Sequence, residues 1–156
     1  MLYRIISRSL LFVVLLGLLV GCGELGLGSG GSSLSGIVTA PAGADVSGTT
    51  VFACFNDEPG CARLGQTTIY ASGSSVSYQL GTLAQGTYSV YALSDANGDG
   101  VPNSGDYYGY FGLNSGAPIL VSPPRANVDI EMLAFTGTTQ LEALPETLRR
   151  AITRAP

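Results

Sequence analysis

The chain has 156 residues, with 11 Asp and Glu against seven cations that are all Arg, and it contains no His, Lys or Trp. Those absences exclude Ser-His-Asp and Cys-His nucleophiles, an imidazole base, ordinary zinc-hydrolase sites, Schiff bases and P-loops. The net charge of −4 lacks the basic footprint that nucleic-acid binding requires. Paired carboxylates are the one hydrolytic device left. The acidic residues are few, and the best placed sit in a single loop, so a non-enzymatic protein is expected.

Arg4 and Arg8 precede an apolar run from Leu10 to Val20, LLFVVLLGLLV. Eleven residues are too few to cross a hydrocarbon core of about 30 Å, which takes roughly 20 in a helix. Length and flanks match a signal-peptide core, residues 1–21. The run closes on Leu19-Val20-Gly21-Cys22, which resembles the lipobox of bacterial lipoproteins. That resemblance implies cleavage before Cys22 and lipidation of its sulfur. Two or more acyl chains anchor a protein stably, at about 0.8 kcal/mol per buried CH₂. The expected location is the cell envelope, membrane-anchored and facing outside the cytoplasm. Residue 23 is Gly rather than Asp, so nothing resembles an inner-membrane retention signal, and a diderm cell would carry the protein on its outer membrane. Five Arg and all 11 acidic residues follow Cys22, which gives the mature chain five minus eleven, −6, a charge unsuited to anionic lipid surfaces.

Residues 22–33, CGELGLGSGGSS, read as a flexible linker spanning roughly 20 Å. From Leu34 short apolar or alternating runs are punctuated by Gly, Pro, Asn and Ser. The pattern predicts strands over 34–40, 48–55, 66–71, 75–80, 86–93, 107–111, 118–121 and 126–133. In SVSYQL, Val76, Tyr78 and Leu80 share a face, and Tyr88, Val90 and Ala92 continue the period of two. Seven or eight such strands without a long helical pattern imply an all-β domain over 34–133, an antiparallel β-sandwich. The Gln85-Gly86 turn is expected to join two of the strands closely.

With Cys22 assigned to the lipid, Cys54 and Cys61 remain as one pair in an oxidising compartment. They bracket the turn residues FNDEPG. A disulfide there would stabilise by roughly 2.5 kcal/mol in the chain-entropy model; the alternative is two free thiols. A metal pair has no further Cys or His to complete it.

The runs SGIVTAP, GTTVFAC and YQLGTLAQGTYSVYAL resemble the transthyretin-like, carboxypeptidase-regulatory-like β-sandwich family. The matching element, hydrophobic-x-Leu-x-x-Gly-x-Tyr-x-Val, falls on Leu80, Leu83, Gly86, Tyr88 and Val90. The resemblance covers about residues 34–133 and implies a structural or adhesive module without catalysis. Related surface domains crosslink Lys to Asn, which a chain without Lys cannot do.

Residues 94–106 read SDANGDGVPNSGD. An EF-hand-type loop places oxygen donors at positions 1, 3, 5, 7, 9 and 12, with Gly at 6. Counted from Asp95, these are Asp95, Asn97, Asp99, the Val101 carbonyl, Asn103 and Asp106, with Gly100 at the turn. Position 12 is Asp rather than Glu, and the flanks read as strands, so a structural Ca²⁺ loop on a β scaffold is expected rather than a sensor. The competing reading is a solvated polar turn, since Asp and Asn form Asx turns unaided. Tyr107, Tyr108 and Tyr110, which follow, suggest an aromatic strip for stacking on sugar rings, or ordinary core and rim residues.

The tail, 134–156, places Leu141, Leu144, Leu148 and Ile152 at helical spacing, with Arg149, Arg150 and Arg154 late. Pro145 suits a first turn, which predicts a short helix over 145–153. The sequence therefore points to an exported, lipid-anchored, non-catalytic calcium-loop module acting in envelope or surface binding and assembly, on an unknown protein or glycan partner. The alternative is a carbohydrate-binding lipoprotein that uses the tyrosines.

Overall fold

The alternating runs become strands in a computed structural model that describes residues 32–56, 61, 63–137 and 149, without the side chains of 63 and 64. The expected signal peptide, Cys22 and most of the expected linker lie outside the described residues, as does the helix expected over 145–153 apart from Arg149, which is helical. Seven strands form: β1 (Leu34–Thr39), β2 (Thr50–Phe55), β3 (Arg63–Thr68), β4 (Ser75–Leu80), β5 (Tyr88–Ser94), β6 (Tyr107–Tyr110) and β7 (Ile130–Ala134). Beside the strands, the described residues hold a single 3₁₀ turn, Leu113–Ser115, and the isolated helical residue Arg149. The fold is all-β.

The strands make one sheet in the order β3-β2-β5-β6-β7-β1-β4. Five neighbouring pairs are antiparallel, but β1 and β7 run parallel, with Val38 opposite Ile130. The sheet is therefore mixed rather than wholly antiparallel. Alternation in a sequence reveals the faces of a strand but not the direction of its neighbour. The two edge strands, β3 and β4, approach each other, so the sheet curls around a shared interior. Leu34 and Val38 of β1, Val51 of β2, Leu80 of β4, Val90 of β5 and Ile130 of β7 meet there, each at most 1% exposed. Each such side chain contributes about 1.5–3 kcal/mol through its burial.

Only β4 keeps its expected bounds; β1, β2, β5 and β6 shift by one or two residues at one or both ends, β7 starts at Ile130 rather than 126, and the larger differences fall in three places. β3 begins at Arg63, just after the Cys54–Cys61 ring, and pairs with β2 from Cys54↔Arg63 to Thr50↔Thr68. Just past β3, Ile69 still exchanges backbone hydrogen bonds with Thr49 and Gly48, at 2.9 and 2.8 Å, and buries its side chain in the core, 5% exposed. Residues 118–121 are not a strand: only Val121 pairs, exchanging both backbone hydrogen bonds with Tyr88 at 2.8 and 2.9 Å. Pro118 on one side and Pro123 and Pro124 on the other lack the N–H that a longer ladder needs. At the other end of the domain, β7 runs to Ala134 and Phe135 is buried at 2% exposure, two residues past the expected limit of 133.

The Leu80-to-Val90 element has a physical reason. Leu80, Leu83, Tyr88 and Val90 are each at most 2% exposed. The Tyr88 hydroxyl donates to the Ala84 carbonyl at 2.8 Å, and its ring meets the Phe55 ring edge-on at 5.4 Å. A tyrosine at a strand start, tied back to backbone a few residues upstream, locks the corner where a β chain changes direction. The Gln85-Gly86 turn does not make a hairpin. β4 lies at one edge of the sheet and β5 in its interior, so the turn belongs to an arch between non-neighbours.

Tyr78 of β4 sits over the opposite end, donating to the Val128 carbonyl at 2.6 Å. Burial first, and the Asp129 carboxylate second, push its phenol well above the usual value near 10. The folded state thus holds this proton more tightly than the unfolded chain does. The associated stability is complete below pH 10 and falls as pH rises beyond it. Urea midpoints measured from pH 8 to 11 are expected to drop above pH 10, and Tyr78→Phe is expected to flatten that alkaline decline.

Candidate metal centre

The loop that carries the oxygen donors is the connection between two paired strands. Ser94, the last residue of β5, is the register partner of Tyr107, the first of β6. The twelve residues 95–106 therefore begin and end at one closed point, which brings Asp95 and Asp106 together. Gly100 lies at φ +74, where the left-handed turn demanded at position 6 costs a glycine little.

Inside the loop the side-chain oxygens face one another. Asp95 accepts from the N–H groups of Gly98 and Gly100, both at 2.8 Å. Asn97 accepts from the Asp99 N–H at 2.9 Å and donates through Nδ2 to Asp99 Oδ2 at 3.1 Å and to Asn103 Oδ1 at 3.0 Å. Asp99 also accepts from the Val101 N–H at 2.7 Å. That bond above all, helped by the Asn103 and Asn97 amides, holds its carboxyl below the usual range against the opposing effect of desolvation.

Asn103 Nδ2 lies at the focus of the set, donating to Asp99 Oδ2 at 2.6 Å and to the Val101 carbonyl at 2.7 Å. The amide places N and O at equivalent ends, and a half-turn about its last torsion presents Oδ1 to the same focus. Asp106 closes the set from below. Its carboxylate accepts from Ala96 N–H at 3.0 Å and Asn103 N–H at 2.9 Å, and the residue is 1% exposed. Each hydrogen bond these three carboxylates accept comes from a neutral N–H group.

One carboxylate oxygen from each of Asp95, Asp99 and Asp106 lies within 4.8 Å of the other two. Oxygens on opposite sides of a Ca²⁺ ion, each at 2.3–2.6 Å, are about 4.6–5.2 Å apart. The hard-oxygen donors and their spread thus fit one calcium ion. Mg²⁺ demands near-ideal octahedral geometry and keeps several waters, which a twelve-residue loop of protein donors does not favour. β5 and β6, not helices, flank the site, so it has no helix pair to swing open.

The chain matches no family model, no curated protein and no solved structure.

One support of the loop had no signal in the sequence. Phe135, just past β7, accepts from the Gly105 N–H at 3.4 Å and donates its own N–H to the Asp106 carbonyl at 2.8 Å. The base of the loop is thereby clamped by a residue 29 positions away, through backbone atoms that any residue type supplies.

The three tyrosines after the loop do not form an exposed strip. Tyr107 is half-buried and packs against the main core, whereas Tyr108 and Tyr110, at 8% and 7% exposure, point to the opposite face. Alternation along β6 imposes that split. There they join Phe52, Tyr91 and Phe135 in a second apolar cluster, together with Cys54 and Cys61. The two cysteines are joined as a disulfide, with Cα atoms 4.8 Å apart. The second face was readable in β5, YSVYALS, whose apolar residues occupy both parities, as they do in a strand buried on both sides. No helix among the described residues is long and apolar enough to cross a membrane.

Proposed function

We propose that the chain is an exported, lipid-anchored, non-catalytic β-domain whose 95–106 loop holds a structural Ca²⁺ ion, acting in envelope or surface binding and assembly. The convergence of Asp95, Asn97, Asp99, Val101, Asn103 and Asp106 on one focus carries the calcium part of this reading. Burial of Asp106 adds weight, since a carboxylate 1% exposed and held only by neutral donors gains from a cation. Extracellular calcium modules work at roughly 10⁻⁴–10⁻³ M, the regime in which a surface protein operates.

The anchor rests on LLFVVLLGLLVGC, and the paired Cys54 and Cys61 suit the oxidising compartment that an anchor implies. The all-β sheet and the buried Leu80-to-Val90 corner accord with a transthyretin-like module. The lack of His and Lys leaves little catalytic machinery.

Two measurements test the reading. Tb³⁺ added to the purified protein is expected to luminesce through the adjacent Tyr107, and Ca²⁺ is expected to quench that signal by displacement. Labelled palmitate is expected to enter the protein in a bacterial host and to be lost in Cys22→Ser. Absence of sensitised emission would defeat the calcium role, and unlabelled protein would defeat the anchor.

A further inference from the structure

The dipeptide Asn97-Gly98 lies in the 95–106 loop with both residues exposed to water. Asparagine is thermolabile, because the backbone nitrogen of the next residue can attack its side-chain amide carbon. Attack needs the side-chain carbonyl folded over that nitrogen, free access to it, and stabilisation of the charge that develops. The reaction closes a ring within one chain, so orientation decides its rate.

The loop meets each of these needs. Asn97 Oδ1 accepts from the Asp99 N–H at 2.9 Å, which fixes that end of the amide as oxygen. Reaching the N–H two residues on curls the side chain across the intervening Gly98 nitrogen. The same N–H faces the oxygen on which negative charge gathers as Cγ becomes tetrahedral, where a preplaced donor favours the transition state. Gly98 has no side chain to screen its nitrogen, and its N–H donates to Asp95 Oδ1 at 2.8 Å. A bond to a carboxylate draws electron density onto the donor nitrogen. Asn97 Nδ2, the group that would leave, donates to Asp99 Oδ2 at 3.1 Å and Asn103 Oδ1 at 3.0 Å. Those acceptors favour its gain of a proton. Asn103 shares the loop but not the arrangement. Its amide turns upstream, to Asp99 Oδ2 and the Val101 carbonyl, and Ser104 rather than Gly follows it.

We propose that Asn97 is a self-modification site, at which the folded loop closes a cyclic imide with Gly98. The Gly98 nitrogen bonds to Asn97 Cγ, and the Cγ–Nδ2 bond breaks. The Gly98 proton, relayed by water, leaves with Nδ2 as ammonia, so the step needs no oxidant, reductant or cofactor. Water then opens the imide at one of its two carbonyls. One product is aspartate at position 97, a fourth carboxylate beside Asp95, Asp99 and Asp106. The other is isoaspartate, whose main chain carries an extra methylene. Where Ca²⁺ binds as proposed above, Asn97 Oδ1 and the Asp95 carboxylate turn to the ion and closure slows. That slowing rests on the calcium reading, whereas the imide step does not.

The test incubates the purified protein with chelator near neutral pH and follows each asparagine by peptide mass spectrometry. Isoaspartate is confirmed with an isoaspartyl methyltransferase and a labelled methyl donor. A parallel sample is unfolded in guanidinium chloride at the same pH. Imide and isoaspartate are expected at Asn97, several-fold faster in the folded protein than in the unfolded one, and ahead of Asn103 and Asn114. An unmodified Asn97, or a folded rate equal to or below the unfolded rate, would overturn the proposal. A third sample holds Ca²⁺ in place of chelator, and slower closure is expected there. An unchanged rate in Ca²⁺ would count against the ion, while faster closure in the folded, chelated sample would still uphold the imide.

Discussion

Gly109→Val is expected to destabilise the domain by about 3 kcal/mol or more, a large share of the roughly 5–15 kcal/mol that holds a typical domain folded. Gly109 lies in the centre of β6, opposite Met132 of β7. A Cβ there would run into the Glu131 carbonyl and come within 2.8 Å of Ile130 Cγ2. Backbone cannot yield without pulling β6 off β7, and the loop base hangs on that same pair of strands through Phe135. Loss of β6–β7 pairing therefore opens the core and the 95–106 loop together. Urea unfolding followed by circular dichroism would measure the effect. Gly81→Ala is the control: a Cβ at Gly81 meets nothing within 4 Å, and its cost is expected to stay within about 0.5 kcal/mol.

Calcium should move the melting temperature by about 6–22 °C between chelator and 10 mM Ca²⁺. A ligand at 10–100 times its Kd stabilises the folded state by about 1.4–2.7 kcal/mol, and each kcal/mol is worth roughly 4–8 °C in a domain near 100 residues. Asp95→Ala with Asp99→Ala is expected to abolish the calcium-dependent shift while leaving the chelated protein near its original melting point, because both residues are exposed. Asp106→Asn should behave differently. Both Asp106 oxygens accept backbone N–H groups, so an amide nitrogen would face a donor at 1% exposure. That variant is expected to lose about 1–3 kcal/mol even without calcium. Differential scanning fluorimetry of the three proteins with and without chelator separates ligand loss from scaffold loss.

Much of the site was legible because its donors are contiguous. Twelve successive residues carry the whole set, and the runs flanking them read as strands. Core positions such as Val76, Tyr78, Leu80 and Val90 followed from the same alternation. What the sequence hid is non-local. The parallel pairing of β1 with β7, the arch from β4 to β5, and the Phe135 clamp all depend on which strand the chain returns to, and backbone hydrogen bonds leave no residue signature. Val121 illustrates the limit from the other side. Its apolar neighbours Ile119 and Leu120 looked like a strand, yet they are 41% and 42% exposed because flanking prolines confine the pairing to one residue.

The tyrosines show a further limit. Consecutive aromatic residues read as one surface in a string, but a strand sends neighbours to opposite faces, so Tyr107 serves the main core and Tyr108 and Tyr110 the second cluster. A sugar-stacking strip needs its rings on one exposed face. The buried placement of Tyr108 and Tyr110 favours packing instead.

Isothermal calorimetry of the purified protein with Ca²⁺ tests the loop most directly. The expected result is saturation at one ion per molecule with a Kd of roughly 10⁻⁴–10⁻³ M, lost in the Asp95→Ala, Asp99→Ala variant. A featureless titration at millimolar calcium, with no change in melting temperature, would contradict it and leave residues 95–106 as a hydrogen-bonded polar turn.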